Sequence, residues 1–497
     1  MSSPSLKRQA LSGVRWTVSA RVLVQLVTWP ATIVVMRLLN PRDYGLVAVS
    51  SVVIEFVSVF GDPGLAAGLV HTQVLRVETS RAASALIVLL NLLLLIVLML
   101  AAPSIAAWYR EPDLTQVIRV ASLSLLMTAI ATVPQAHLVR NLRFREMALA
   151  LIVGNVAASL ATLTCAIFGF GVWSLVVGSL VLSALRSIVI VAYNRSAVWP
   201  DFFKGFAPVR HLMHFSVHML SNRILWYCSM NLDLIVLGRI VHSTQLGSYS
   251  VGASLASIPG DKAMDAVNRV SFPTLSRMRL TRTQFNYTYE RILRMLALYG
   301  FLVAWGVAAV APEFVHVVLS EKWRFAVIPL AMLSIAAPLR MLTAFQNTVN
   351  NAAGVPQAST QVLGLTCLLL PVGILIGARV AGINGAAVSF VVVYAVLFLV
   401  STRYTCRVTE RNVRDNLRLI LVPLAAGVSM LMVTWALRKL LFNLLPSAVL
   451  LCLETVAAAV AFLGTVQVLG PAVLSDARAL LGELLRPEKP ASSDTAS

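Results

Sequence analysis

The stretch from Ser19 to Val49 reads SARVLVQLVTWPATIVVMRLLNPRDYGLVAV, and 202 residues later the chain reads SNRILWYCSMNLDLIVLGRIVHSTQLGSYSV. Eight positions are identical at this shift, and in the first copy they are Ser19, Arg21, Leu23, Ile33, Val34, Arg37, Gly45 and Val49. Identities between aliphatic residues carry little weight, because apolar segments often match by chance. Arginines are rare in such segments, yet Arg21 and Arg37 recur as Arg223 and Arg239. We therefore interpret the two stretches as an internal repeat.

The composition excludes a soluble globular protein, since 58% of the 497 residues are hydrophobic and only 12% are charged. A helix needs about 20 apolar residues to cross a bilayer, and the apolar runs reach that length without the alternation of barrel strands. The sequence therefore predicts an all-α polytopic membrane protein with about fourteen transmembrane helices. The predicted spans are 13–39, 44–70, 82–108, 114–139, 147–169, 172–194, 212–238, 245–260, 287–311, 325–350, 358–378, 382–403, 416–437 and 444–470.

The distribution of Lys and Arg orients these spans. With the N-terminus in the cytosol, 27 of the 40 basic residues lie on the cytosolic side and ten on the outer side. The positive-inside rule therefore predicts that both termini are cytosolic. The net charge of +19 is explained by a basic surface that faces anionic lipid headgroups, so we expect no nucleic-acid partner.

The repeat also predicts the domain organisation. Its copies begin at the first and seventh spans, an even number of crossings apart, so the two halves run in parallel. A second anchor agrees, since Gly169-Phe-Gly171 opens the sixth span and Gly382-Ile-Asn-Gly385 opens the twelfth. We predict six-helix bundles over 1–204 and 205–410, two additional transmembrane helices over 411–470, and a cytosolic tail over 471–497.

Short motifs follow one another along residues 10 to 410. They are Arg37-Leu-Leu-Asn-Pro-Arg-Asp43-Tyr44-Gly45, Phe60-Gly-Asp62-Pro-Gly64, Arg140-Asn-Leu-Arg143-Phe144, Gly169-Phe-Gly171-Val-Trp173, Asn231-Leu-Asp233, Gly247-Ser-Tyr249, Phe272-Pro273-Thr-Leu275 and Glu321-Lys322-Trp323. In this order the chain resembles the Wzx-type polysaccharide exporters, or lipid-linked oligosaccharide flippases, of the multidrug/oligosaccharidyl-lipid/polysaccharide (MOP) exporter superfamily. Within that family it is most similar to exporters of exopolysaccharide or colanic-acid-like repeat units.

The resemblance implies a fold and a substrate. The fold would be two six-helix bundles that form a MATE-like V around a central cavity, with two extra helices. The substrate would be an undecaprenyl-diphosphate-linked oligosaccharide, moved across the inner membrane for exopolysaccharide or lipopolysaccharide synthesis. Membrane lipids would be partners, and a polysaccharide polymerase and export machinery are candidate partners.

Three arginines within spans, Arg21, Arg223 and Arg340, are the candidate substrate-binding residues. At 1.5 Å per residue, Arg21 lies about 12 Å and Arg340 about 15 Å from the cytosolic ends of their helices. A buried cation costs at least about 3 kcal/mol and normally faces a cavity or a partner. Because guanidinium binds phosphate oxygens in a bidentate manner, we expect these arginines to line an inward-open cavity that binds a diphosphate.

A structural interpretation of the same residues stays open. Asp62 matches the depth of Arg21, and Asp261 of Pro259-Gly260-Asp261 is a candidate partner for Arg223, so salt bridges would satisfy both arginines. Asp62-Pro63-Gly64 is also a candidate helix break.

Glu55, Asp62 and Asp233 are ion-coupling or structural carboxylates, and Glu454 is a further carboxylate within a span.

Other functional classes are disfavoured by what the sequence lacks. The external connections are short and there is no Walker motif, so we expect a transporter rather than an enzyme, with no cofactor. His211, His214 and His218 share a helix face without acidic or cysteine partners, and the five cysteines are isolated, so we expect no metal site. The alternative function is a MATE-like drug or metabolite cation antiporter. Such an antiporter would need unpaired carboxylates, whereas this chain places more arginine at the inferred cavity depth.

Overall fold

The computed structural model describes residues 4–62, 64–71, 76–194, 210–278, 281–441 and 444–471. Every regular element within these residues is a helix. Eleven segments of the described chain are long and apolar enough to cross a membrane. The all-α membrane fold expected from the composition is therefore confirmed.

The first part of the chain forms the helices of the first predicted bundle. They are α1 (Pro4–Leu38), α2 (Pro41–Gly61), α3 (Leu65–His71), α4 (Val77–Tyr109), α5 (Leu114–Ala121), α6 (Leu123–Arg140), α7 (Phe144–Ile167) and α8 (Val172–Ala192). Helix α2 begins at the Asn-Pro motif, where Pro41 takes the first helical position and the Asn40 N–H donates to the Asp43 carboxylate at 3.0 Å.

The predicted span 44–70 is divided between α2 and α3. The Asp62 carboxylate accepts hydrogen bonds from the backbone N–H groups of Gly64 and Ala66, both at 3.2 Å. It thereby satisfies donors that the first turn of α3 leaves without intrahelical partners. The helix break predicted at Asp62 is confirmed.

The second part of the chain forms longer helices. They are α9 (Arg210–Ile240), α10 (Ser243–Met278), α11 (Arg282–Phe314), α12 (Val327–Ala352), α13 (Pro356–Thr409), α14 (Val413–Leu441) and α15 (Ser447–Leu469). Helix α10 continues through Pro259 and past 260, the end of the predicted span, as far as Met278. Helices α14 and α15 are the two additional spans predicted after the duplication, and the predicted tail from 472 onward lies outside the described residues.

Helix α13 contains two predicted spans, because its backbone reverses at Ala381 and Gly382. The backbones of Gly377 and Gly385 are in contact there, whereas eight residues of straight helix would separate them by about 12 Å. Gly382 has φ 59° and ψ −140°, and Gly171 before α8 has φ 55° and ψ −130°. This conformation is close to a region that essentially only glycine adopts. These two glycines, which lie in the segments that open the sixth and twelfth predicted spans, thus make the same turn.

The helices pack into two compact units. The first contains Met1–Val251, Val318–Phe325 and Cys367–Ala386, and the second contains Gly252–Val317, Ala326–Thr366 and Ala387–Ser497. The second unit has an aromatic core that includes Tyr289, Phe301, Trp305, Phe345 and Phe462. These units are defined by helix packing, and their bounds do not follow the two copies of the repeat. The domain boundary at 204/205 therefore stays a prediction.

Candidate functional site

Arg223, on α9 in the first unit, contacts the break between α2 and α3. One guanidinium nitrogen donates to the Asp62 backbone carbonyl at 2.6 Å and lies 3.8 Å from the Asp62 carboxylate. Asp62 is the C-cap residue of α2, at the end where helix carbonyls lack intrahelical partners and the helix dipole favours a cation. The Arg223 side chain is still 47% exposed, so the contact leaves much of the guanidinium accessible.

Arg340, on α12 in the second unit, contacts the middle of α10. Its guanidinium donates to the Asp261 carboxylate at 3.0 Å, and its side chain is 34% exposed. Two further polar contacts hold α10 nearby, since Tyr299 donates to the Pro259 carbonyl at 3.2 Å and Thr348 donates to Asn268 at 3.0 Å. Arg340 thus contacts a polar side of α10 that follows Pro259, the first of the two prolines inside that helix.

The ion pairs in the structure differ from those that the sequence offered. The sequence offered Asp62 to Arg21 and Asp261 to Arg223, but Asp62 contacts Arg223 and Asp261 contacts Arg340. Hydropathy gives the depth of a residue along its own helix and leaves open which helix is its neighbour. Arg21 is half-buried on α1.

The three predicted carboxylates have different surroundings. Glu55 is exposed in the middle of α2, and among the described residues its carboxylate has no ion-pair partner. Asp233 is buried on α9 and accepts a hydrogen bond from the Tyr249 hydroxyl at 3.1 Å. Asp62 caps α3 and contacts Arg223, as described above. Asp233 and Asp62 therefore make structural hydrogen bonds in this structure, and Glu55 is the accessible carboxylate of the three.

A buried ionic cluster joins Glu454 to two residues that the sequence analysis did not single out. Arg438 of α14 binds Glu313 of α11 and Glu454 of α15. Glu313 lies two residues beyond its predicted span and Arg438 one residue beyond, so the sequence alone places both in external connections. The helices extend to Phe314 and Leu441, which brings both side chains into the helix packing.

The Glu321-Lys322-Trp323 motif caps the end of α1 in the first unit. The Lys322 ammonium donates to the backbone carbonyls of Arg37, Leu38 and Leu39 at 2.7, 3.4 and 3.4 Å. The fully buried Trp323 donates from its indole to the Met36 carbonyl at 2.9 Å. A cation at these carbonyls complements the C-terminal end of the helix dipole. The contacts of this motif are therefore structural, and so are those of the repeat-related glycines Gly45 and Gly247.

The repeat-related glycines Gly45 and Gly247 touch each other. A Cβ atom on Gly45 would collide with the Ser243 carbonyl, and one on Gly247 would collide with the Pro41 carbonyl. The first turns of α2 and α10 therefore cross backbone against backbone. Close approach explains why both repeat copies carry glycine at this position.

Among the described residues, no group of three or more His, Cys, Asp or Glu side chains is arranged to hold a metal ion. The side chains of His211, His214 and His218 lie outside the described residues.

A family model described as polysaccharide biosynthesis protein matches residues 34–328, which is more than half of the chain. The chain belongs to this family. Curated relatives agree: it is 23% identical to the lipopolysaccharide biosynthesis protein WzxC of Escherichia coli over 87% of this chain and 88% of that protein. It is also 23% identical to the teichuronic acid biosynthesis protein TuaB of Bacillus subtilis, over 86% and 88% of the two chains. The resemblance to Wzx-type transporters is confirmed, and the protein is a multi-pass inner-membrane transporter.

Solved structures show the same fold. The lipid II flippase MurJ, in an inward closed conformation, superposes with a TM-score of 0.73 at 12% identity, over 93% of this chain and all of that chain. An inward-facing MATE transporter of the MOP superfamily superposes with a TM-score of 0.59 at 16% identity, over 78% and 96% of the two chains. These identities are low, and the superpositions establish the MOP fold alone.

Proposed function

We propose that this transporter is a flippase that moves undecaprenyl-diphosphate-linked oligosaccharide repeat units across the inner membrane by alternating access. Transport, rather than catalysis, would be its role in exopolysaccharide or lipopolysaccharide synthesis. Both termini would be cytosolic, and a polysaccharide polymerase and export machinery would be its candidate partners. Family membership and the MOP fold support the transporter role.

We base the anionic substrate on Arg223 and Arg340. Each guanidinium is partly exposed and is bound to one aspartate, Asp62 at the end of α2 or Asp261 within α10. An exposed ion pair contributes only about 0–1 kcal/mol, so a competing anion can displace the carboxylate at little cost. A diphosphate is such an anion, because it carries more charge and offers several oxygens for bidentate hydrogen bonds. Arg21 would add a third guanidinium, as the repeat predicts.

The test is flipping of a fluorescent undecaprenyl-diphosphate oligosaccharide in proteoliposomes at matched protein insertion. Arg21→Ala, Arg223→Ala and Arg340→Ala should each lower the flipping rate. Arg42→Ala is the matched control, because Arg42 also forms an exposed ion pair, with Asp113 at 2.8 Å, but was not placed in the site. Equal rates in all variants would reject the arginines as substrate ligands. Restored flipping in a double variant that exchanges Arg223 and Asp62 would also reject direct phosphate binding by Arg223.

Glu55 favours a second candidate function, that of a MATE-like cation antiporter. Its exposed carboxylate within a span has no ion-pair partner among the described residues, as a binding site for a cationic substrate requires. The same proteoliposomes distinguish the two functions when loaded with a cationic dye. Efflux of the dye that depends on Glu55, together with no lipid flipping, would favour the antiporter.

A further inference from the structure

The cluster of Glu313, Arg438 and Glu454 lies in the second unit and includes none of the arginines proposed to bind substrate. Helices α11, α14 and α15 each contribute one of its residues. The Glu454 side chain is 0% exposed and that of Glu313 is 4% exposed, while Arg438 is one-quarter exposed. Two acidic side chains are therefore buried around one basic side chain.

Arg438 makes more and shorter hydrogen bonds to Glu313 than to Glu454. Its Nε donates to one oxygen of Glu313 at 2.8 Å and its Nη2 donates to the other, which completes a bidentate pair. The same Nη2 also donates to the Ala309 carbonyl at 2.8 Å and to Glu454 Oε2 at 3.1 Å. Glu454 thus receives one shared and longer hydrogen bond. Its second oxygen, Oε1, is buried without a hydrogen-bond partner among the described residues.

Among the described residues, the other charged groups near the cluster do not neutralise the charge of the Glu454 carboxylate. On α14, the Lys439 ammonium is exposed and lies over the Trp435 ring, 5.5 Å from its centre. Beyond α11, His316 is on the exposed side of the chain. On α12, which packs against α11, Arg340 is bound to Asp261. Helix α15 contains no acidic or basic residue except Glu454.

Two ionised carboxylates beside one guanidinium would leave a net negative charge in a buried site. An isolated buried charge is costly, and a carboxylate in that position takes up a proton instead. Glu313 has the complete bidentate pair that an ionised carboxylate requires. Of the two carboxylates, Glu454 has the weaker contact with Arg438 and the oxygen without a hydrogen-bond partner. Protonation of Glu454 therefore costs less free energy than protonation of Glu313.

We propose that this cluster is a proton-binding site, in which Glu454 carries one proton while Glu313 stays ionised against Arg438. Uptake of the proton forms the O–H bond of the Glu454 carboxyl and neutralises its charge. Release of the proton leaves a second carboxylate that competes with Glu313 for Arg438. The contact between α11 and α15 therefore changes with the protonation of one residue.

The test is the melting temperature of the full-length protein in nanodiscs, from about pH 5 to about pH 9. The folded wild-type protein holds a proton that the unfolded chain has released, so its melting temperature should fall as the pH rises through this range. Glu454→Gln should keep the melting temperature seen at low pH and should remove the cluster's share of that fall, because a glutamine amide cannot ionise. Glu313→Gln should also remove it, since Glu454 can then ionise and pair with Arg438 alone.

Glu290→Gln is the matched control. Glu290 lies on α11 as well, but it forms a one-to-one pair with Arg411 and should leave the wild-type fall in place. A second readout is the infrared band of a protonated carboxyl at neutral pH, present in the wild-type protein and absent in Glu454→Gln. The proposal is overturned if the pH profile of Glu454→Gln equals that of the wild type. It is also overturned if Glu454→Gln fails to fold at any pH, or if the infrared band is absent from the wild-type protein.

Discussion

Arg223 on α9 and Arg438 on α14 both bind carboxylates, but their surroundings differ. Arg223 shares a partly exposed contact with one aspartate, and nearly half of its side chain is accessible. Arg438 joins two buried glutamates and also donates to the backbone of α11. Arg340 resembles Arg223, with one exposed aspartate as its partner.

The difference determines which arginine can change its partner. An exposed pair in solvent has little net stability, so its guanidinium can pass from the carboxylate to another anion. The Arg438 guanidinium cannot leave without stranding the ionised Glu313 carboxylate, uncompensated, in the protein interior. We therefore propose substrate exchange for Arg223 and Arg340, and helix anchoring and proton binding for the Arg438 cluster.

The largest effect is expected for Arg438→Gln. Removal of one partner of a buried ion pair destabilises a protein by about 3–5 kcal/mol, because the remaining charges stay buried. Thermal unfolding in nanodiscs measures this loss, and low pH should recover part of it by protonating Glu313 as well as Glu454. Lys439→Gln is the control, since its exposed ammonium contacts only a tryptophan ring. Equal melting temperatures for the two variants would remove the distinction between buried and exposed clusters.

The next effect is expected for Arg223→Ala and Arg340→Ala, and it concerns transport rather than stability. Loss of a hydrogen bond to a charged group, at about 1.5–3 kcal/mol, should slow flipping roughly 10- to 100-fold. The free energy of unfolding should change by less than about 1 kcal/mol, because both pairs are exposed. Initial rates and melting curves on the same samples separate the two quantities. A large loss of stability with normal flipping would place these arginines in the same class as Arg438.

A smaller effect is expected for Arg223→Lys and Arg340→Lys. Lysine keeps the charge but lacks the planar pair of donors that fits a phosphate, so flipping should slow by roughly 3- to 10-fold. The salt dependence of the rate should stay close to that of the wild type, since the net charge is unchanged. Wild-type rates in both variants would show that charge alone is sufficient.

The smallest effect is expected for Glu55→Gln. If the substrate is anionic, removal of this exposed carboxylate should change the flipping rate by no more than about twofold. The measurement is the same proteoliposome assay, repeated with an imposed pH gradient. A loss of gradient dependence in this variant would assign ion coupling to Glu55 and separate it from the Arg438 cluster.

The features that the sequence predicted well are those that depend on local chemistry. Apolar length predicts where helices cross the membrane, and Asp62-Pro63-Gly64 predicts the break that ends α2. The segments of Gly171 and Gly382 were predicted to open spans, and in the structure both glycines make reversals in a conformation that disfavours other residues. Each of these signals lies within a few residues of the structure that it specifies.

The partners of the charged residues were not predicted, because they depend on which helices are neighbours. Arg223 contacts a residue 161 positions away, and Lys322 contacts backbone 285 positions away. Glu313 and Arg438 were missed for a different reason. The apolar windows end just before them, while their helices continue for a further turn.

The reversals at Gly171 and Gly382 also bear on how the chain is synthesised. Only four residues separate α7 from α8, and the two parts of α13 are joined at Ala381 and Gly382. A connection this short leaves almost nothing to translocate between the two helices of each pair. Each pair would therefore leave the translocon together, as one helical hairpin inserted in a single event.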